Sequence, residues 1–260
     1  AQAPPNEWGS PVLDLHFHMR GTAAANLAHL DGAGIAKANL LTRAGATEQV
    51  SAIQAAAPGR FVWFASADVA RPEAVDVLTL AIKNGAKGFG EMKLHYATDG
   101  PEFRRAYALA AELNVPILIH FQEVDHTENE GKWSPGFAAH FEAVLKAHPT
   151  TTFIGHADAF WANVSADYHN EAAYPSGPVV LGGVTDKLLS SYANLYGDLS
   201  ANSGNNMLSR DLDFTRDFLR RHQDKLMFGS DCSCSDGHGG GVSQANNPAA
   251  ARLAGKCVAR

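Results

Sequence analysis

Asp14-Leu15-His16-Phe17-His18, close to the start of the chain, is the stretch whose reading decides the fold. As a strand it puts Asp14, His16 and His18 on one face and Leu13, Leu15 and Phe17 on the other. The apolar face calls for a packed helix layer. The polar face needs partners, because polar groups taken out of water unpaired are costly. Two neutral imidazoles two residues apart on a strand converge on one divalent ion, which meets that need. Two hydrogen-bonded core histidines would meet it as well, so the choice falls to the rest of the chain.

Working outward, Val12–His18 is the first of eight expected strands, followed by 35–41, 61–66, 87–94, 115–121, 152–156, 195–199 and 225–230. Helical patterns alternate with them over 23–30, 47–57, 72–84, 101–113, 137–147 and 186–192, with one long amphipathic helix over 206–221. Pro58-Gly59 and Asn84-Gly85 supply helix stops. Eight strands alternating with helices at this length predict an α/β chain folded as a (β/α)8 TIM barrel. An open doubly wound sheet is the alternative, and no Gly-x-Gly-x-x-Gly turn follows the first strand to support its nucleotide-binding form. The expected organisation is an N-terminal arm over 1–10 and a single barrel domain over 11–260. After the last strand, 232–260 starts Gly-rich and closes with a short helix pattern over 248–258, less than the usual eighth barrel helix, so the barrel is expected to lack a full one.

With 260 residues, 45% of them hydrophobic, the chain has room for one large core. A net charge of −6 gives no support to a nucleic-acid surface, and no apolar run approaches the roughly 20 residues of a membrane helix. The opening Ala1-Gln2-Ala3-Pro4-Pro5 reads as the end left by signal cleavage, which favours a periplasmic or secreted protein over a cytoplasmic one. The three cysteines do not make a disulfide scaffold. In an oxidising compartment Cys257 is expected to pair with Cys232 or Cys234.

In a barrel of this kind the chemistry sits at the C-terminal ends of the strands. The first expected strand ends in His16 and His18, and the fourth carries Glu91, Lys93 and His95 on one face. The fifth ends in His120, the sixth in His156, the eighth in Asp231. Each has an ordinary structural reading: a rim hydrogen bond for a histidine, a helix N-cap for the aspartate, an ion pair for Glu91. Five strands delivering metal-competent side chains to one rim is a pattern those separate readings do not absorb.

The order His-x-His, then His, His and Asp on later strands resembles the amidohydrolase superfamily of metal-dependent barrels. Ile119-His120, Ile154-Gly155-His156 and Phe228-Gly229-Ser230-Asp231 resemble its amidohydrolase-related branch. The resemblance covers nearly the whole chain and implies a barrel holding one or two divalent ions, most often zinc. It implies that His16, His18 and Asp231 bind the first ion and that His120 is a further ligand. His156 would be either a ligand of a second ion or a hydrogen-bond donor to the transition state, and Asp231 would also accept the proton from the attacking water. Glu91 stands where some dinuclear members have a bridging carboxylate, and Lys93 where others have a carboxylated lysine. Glu91 is preferred, since it binds metal unmodified, which leaves Lys93 for substrate.

Arg20, Arg43 and Lys93 follow three strand ends and suggest a small anionic substrate bearing a carboxylate; ion pairs with Asp14, Asp68 or Asp198 are the plainer reading of each. Trp133, Trp161, Tyr168 and Tyr174 lie in long segments that either cover the pocket or anchor their loops. The leading expectation is a metal-dependent hydrolase of a small ester, lactone or amide. A non-oxidative decarboxylase of the same branch comes next, then a TatD-type deoxyribonuclease. That last family shares the ligand order, but Gly90-Glu91-Met92-Lys93-Leu94 lacks its usual pattern. A non-catalytic metal-binding barrel is the last alternative. No Gly-x-Ser-x-Gly elbow supports a serine hydrolase.

Overall fold

The computed structural model describes residues 9–237. Eight strands pair in the order β1-β2-β3-β4-β5-β6-β7-β8, every neighbouring pair parallel. They are β1 (Val12–His18), β2 (Ile35–Arg43), β3 (Phe61–Ser66), β4 (Phe89–Met92), β5 (Ile117–His120), β6 (Phe153–His156), β7 (Leu195–Asp198) and β8 (Leu226–Met227). Backbone bonds from Leu15 N to Phe228 O (3.0 Å) and from Asp231 N to His16 O (2.8 Å) bring the last strand back to the first. The expected barrel is the one observed.

Between the strands run α1 (Ala23–Ala33), α2 (Thr47–Ala56), α3 (Ala74–Lys83), α4 (Pro101–Glu112) and α5 (Phe137–Ala147), then α6 (Asp158–Ala162), α7 (Val184–Ser191), α8 (Ala201–Arg210) and α9 (Leu212–His222). Two helices differ from expectation. The stretch read as one helix over 206–221 is two, because Asp211 adopts an extended φ of −147° and its carboxylate caps Phe214 N at 3.1 Å. An N-cap bond formed there outweighs continuing the previous helix. The other is α6, a short helix inside a segment expected to be irregular.

Apolar side chains fill two layers. Phe17, Leu40, Trp63, Phe89, Ile117, Phe153 and Leu195 belong to the large cluster between sheet and helices. Inside the barrel Leu15, Leu41, Phe64, Leu118, Ile154, Tyr196 and Met227 meet, one from each strand except β4. That strand contributes Gly90, whose φ is +143° and where a Cβ would stand 2.7 Å from Leu118 Cβ. The strand is glycine there because the inner layer leaves no room for a side chain.

The alternation expected for β1 is corrected by a bulge. Asp14 is opposite Ala38 and Phe17 opposite Leu40, so three steps on β1 match two on β2. Leu15 therefore packs in the barrel interior, and Asp14 turns to the end of β8, accepting from Ser230 N (2.8 Å), Ser230 Oγ (2.5 Å) and its own neighbour His16 N (3.0 Å). Burial pushes the Asp14 carboxyl up to about 6, against those hydrogen bonds. Of the cysteine expectations, Cys234 is buried as a thiol, and Cys257 lies outside the described residues, as does most of the 1–10 arm and the whole C-terminal segment beyond 237.

Candidate metal centre

His16 and His18 leave the end of β1 with their Nε2 atoms 3.3 Å apart. His18 Nε2 is 3.3 Å from Asp231 Oδ1 and 3.5 Å from Glu91 Oε2; His16 Nε2 lies 3.7 Å and 3.9 Å from the same two oxygens. On the other side of Glu91, its Oε1 is 2.5 Å from His120 Nδ1 and 3.6 Å from His156 Nε2, and Asp231 Oδ2 is 3.8 Å from His156 Nε2. A tetrahedral ion with bonds of about 2.1 Å has ligand atoms about 3.4 Å apart. The spacings of 3.3, 3.3, 3.5 and 3.6 Å lie near that edge, whereas the 2.5 Å contact of Glu91 with His120 is a direct hydrogen bond. The donor set, nitrogens and carboxylate oxygens alone, suits zinc or a related first-row divalent ion.

All six metal-competent residues expected from the sequence, His16, His18, Glu91, His120, His156 and Asp231, thus come together. Glu91 divides them, with one oxygen toward the β1 histidines and the other toward His120 and His156. His16 and His156 are buried, while the side chain of His18 is 55% exposed, so the cluster opens to solvent at that edge.

The electrostatics follow from the crowding. Burial alone would lower His16, but the carboxylates of Asp231, Asp198 and Glu91 raise it to about 10 in the metal-free chain. Burial, with His16 alongside, pushes His156 down to about 4. Burial opposes ionisation of Glu91 and Asp231, yet the neighbouring imidazoles, His120 for Glu91 and His16 for Asp231, hold both well below the usual carboxylate range.

Three residues hydrogen-bond these side chains, a role that was not read for any of them from the sequence. Asp198, fully buried at the end of β7, takes the Nδ1 proton of His16 at 2.6 Å, which leaves Nε2 for the cluster. Ser200 Oγ meets His156 Nδ1 at 2.9 Å, and Ser200 N donates to Asp198 Oδ1 at 3.1 Å. Gln122 Oε1 meets His120 Nε2 at 3.0 Å. Asp198 had a readable signal, since it ends its strand as His120 and His156 end theirs. Gln122 and Ser200 had none.

The three expected cations separate. Arg43 and Lys93 line a cavity of about 430 Å³ with Glu91, Ser66 and Asp68. Lys93 Nζ also lies 3.9 Å from Glu130 Oε1 and 5.1 Å above the Trp133 ring. Arg20 is not among the residues lining that cavity. Its guanidinium donates to Cys232 O (2.8 Å) and Cys234 O (2.7 Å) and stacks over Phe17. It fastens the segment after β8, because the alternation that would have aimed it at the rim ends with β1 at His18. His95 lies past the end of β4 and stacks on Trp133 at 3.6 Å, the ring over which Lys93 Nζ also lies. Trp161 is a core residue, donating to Asp198 O at 2.7 Å, and so takes the anchoring role. His29, Cys232 and Cys234 also cluster, but Cys232 is disulfide-bonded.

No protein-family model and no curated protein sequence matches the chain. Solved structures do. A probable 2-pyrone-4,6-dicarboxylic acid hydrolase from Acinetobacter baumannii, with citric acid bound, superposes with a TM-score of 0.56 at 13% identity, over 88% of this chain and 86% of that one. A Staphylococcus aureus protein assigned as an amidohydrolase gives 0.53 at 14% identity, over 88% and 90%. A TatD homologue from Escherichia coli gives 0.52 at 17% identity, over 93% and 87%. All three share the parallel-barrel fold of this chain. In this barrel the histidine and carboxylate cluster occupies the C-terminal strand ends, the face on which barrel enzymes carry their chemistry.

Proposed function

We propose that the chain is a metal-dependent hydrolase of the amidohydrolase superfamily, acting on a small ester, lactone or amide that bears a carboxylate. The observation that carries this reading is Glu91, whose two oxygens face two separate sets of imidazoles, as a carboxylate shared by two ions would. His16, His18, Asp231 and Glu91 Oε2 would hold one divalent ion, and Glu91 Oε1, His120 and His156 a second. Such ions acidify water to near neutral pH and polarise a carbonyl oxygen. Asp231, beside the Nε2 atoms of both β1 histidines, would accept the proton of the attacking water. Arg43 and Lys93, on the cavity wall next to Glu91, hold the substrate carboxylate while the reacting carbonyl lies over the cluster. The cavity of about 430 Å³ suits a small, single-ring molecule rather than a polymer.

The test combines elemental analysis with turnover. Two equivalents of zinc or another first-row ion, together with acid release from carboxylated lactones or esters, support the reading. Release of carbon dioxide from an aromatic acid instead would assign a decarboxylase, and cleavage of single-stranded DNA a TatD-type nuclease. A chain with neither bound metal nor metal-stimulated turnover overturns the proposal.

A further inference from the structure

Arg20 donates to the carbonyls of both Cys232 and Cys234, at 2.8 and 2.7 Å, and so holds the two residues of a Cys-x-Cys sequence side by side. Their sulfurs stand 3.2 Å apart. The two are in different states, for Cys232 is disulfide-bonded whereas Cys234 is buried as a thiol. The chain has three cysteines, so within the chain the other half of that bond is Cys257, which lies outside the described residues. His29, fully buried on α1, turns Nδ1 to the pair, 3.4 Å from Cys234 Sγ and 3.1 Å from Cys234 O. The Phe17 ring packs against this imidazole, and among the described residues its Nε2 has no hydrogen-bond partner. Buried polar atoms are as a rule paired, so packing alone does not account for a ring whose polar contacts all fall on Nδ1. Burial, aided by Arg20 and opposed by the bond to Cys234 O, holds His29 below the usual histidine range, which leaves the ring neutral and open to a proton.

A thiol in contact with one sulfur of a disulfide, with a proton acceptor beside it, is the arrangement that thiol–disulfide exchange requires. We infer that Cys234, Cys232 and His29 form an exchange site whose substrate is the chain's own disulfide. Cys234 Sγ bonds to Cys232 Sγ as the bond from Cys232 Sγ to Cys257 Sγ breaks. The electron pair leaves with the Cys257 sulfur. The Cys234 proton passes to His29 Nδ1, which releases it to solvent, and solvent protonates the departing thiolate. One thiol and one disulfide stand on each side, so no oxidant or reductant is consumed. The exchange replaces a bond to the end of the chain with one closed inside the segment that follows β8, immediately beyond Asp231. No residue of the histidine and carboxylate cluster takes part, so the inference stands apart from the metal-centre reading.

The experiment uses the full chain purified without reductant, as wild type, His29→Gln and Cys257→Ser, with cysteine states read by non-reducing peptide mass spectrometry. Acid protonates thiolates and stops exchange, so acid quenching before unfolding and alkylation records the starting state. Wild type should then show Cys232 bonded to Cys257 and the label on Cys234. Native wild type held near neutral pH with iodoacetamide should instead collect the label on Cys257 while the bond moves to Cys232 and Cys234. His29→Gln should slow that transfer on the order of 100-fold, the effect of removing a positioned base. Cys257→Ser tests the sulfur pair without touching buried His29: given oxidised glutathione, it should close the Cys232–Cys234 bond and release glutathione. Native wild type that keeps its original bond and labels only on Cys234 overturns the inference. So does a chain with all three cysteines labelled, or a stable glutathione adduct on Cys232 in Cys257→Ser. Transfer at the wild-type rate in His29→Gln overturns the role given to His29.

Discussion

Metal binding to this chain should release a proton, and the structure says how strongly pH will control it. In the metal-free chain His16 is raised to about 10 by Asp231, Asp198 and Glu91 acting against burial. Its Nε2 must lose that proton before it can hold a cation. At about pH 7, three pH units below, only about one His16 in a thousand is neutral, which weakens apparent affinity by about 4 kcal/mol at 1.36 kcal/mol per unit. The sign is fixed: the protonated form dominates below about 10, so affinity falls as pH falls. Between about pH 7 and pH 9 the apparent Kd of the first ion should therefore improve about tenfold per pH unit. Calorimetric titration of metal-free protein with chelator-buffered Zn2+, in two buffers of different ionisation enthalpy, counts the protons. Close to one proton attributable to His16 is expected, and Asp198→Asn should shift the dependence to lower pH by removing one of the carboxylates that hold it. No proton release and a flat affinity across that range would refute the electrostatic reading of the cluster.

Other perturbations test separate parts of the molecule. Replacing Arg43 by Met should raise KM for a carboxylated substrate by the equivalent of about 1.5–3 kcal/mol and leave a neutral ester analogue nearly unaffected; equal losses on both would remove Arg43 from the substrate site. Arg20→Met, by contrast, should slow both substrates alike and loosen the segment around Cys232 and Cys234, read as faster hydrogen exchange there. Gly90→Ala should cost about 1–3 kcal/mol in denaturant unfolding, because a Cβ meets Leu118 on a backbone at φ +143°; unchanged stability would mean that the inner layer yields. Asp186 bridges α7 to Arg221 and His222 on α9, at 2.5 and 2.7 Å, and burial notwithstanding its carboxyl is lowered by Arg221 first. Its stabilisation is present above the ordinary carboxylate value and is lost as pH falls through the lowered one. Asp186→Asn should cost on the order of 1–2 kcal/mol near neutral pH and little in strong acid.

What the chain determines by itself is what is written locally. Hydrophobic runs of four to nine residues broken by Pro-Gly and Asn-Gly name the strands, and β1, β3 and α5 fall on the expected residues. His120 and His156 were legible for the same reason: each ends an apolar strand, and a parallel barrel sends all such ends to one rim, where Glu91 near the end of β4 and Asp231 just past β8 join them. The direction of a side chain is not local. A bulge decided by pairing with β2 turned Asp14 to Ser230 and Leu15 to the interior, against the alternation of β1 alone. Arg20 was claimed by carbonyls more than two hundred residues away. The ring orientations of His16 and His120 are held by Asp198 and Gln122, one at the end of a distant strand and the other in a loop whose course its own residues do not specify. Spacing and composition carry which residues reach the rim. Which atom of His16 faces the cluster is decided by Asp198, on a strand brought beside it only when the barrel closes.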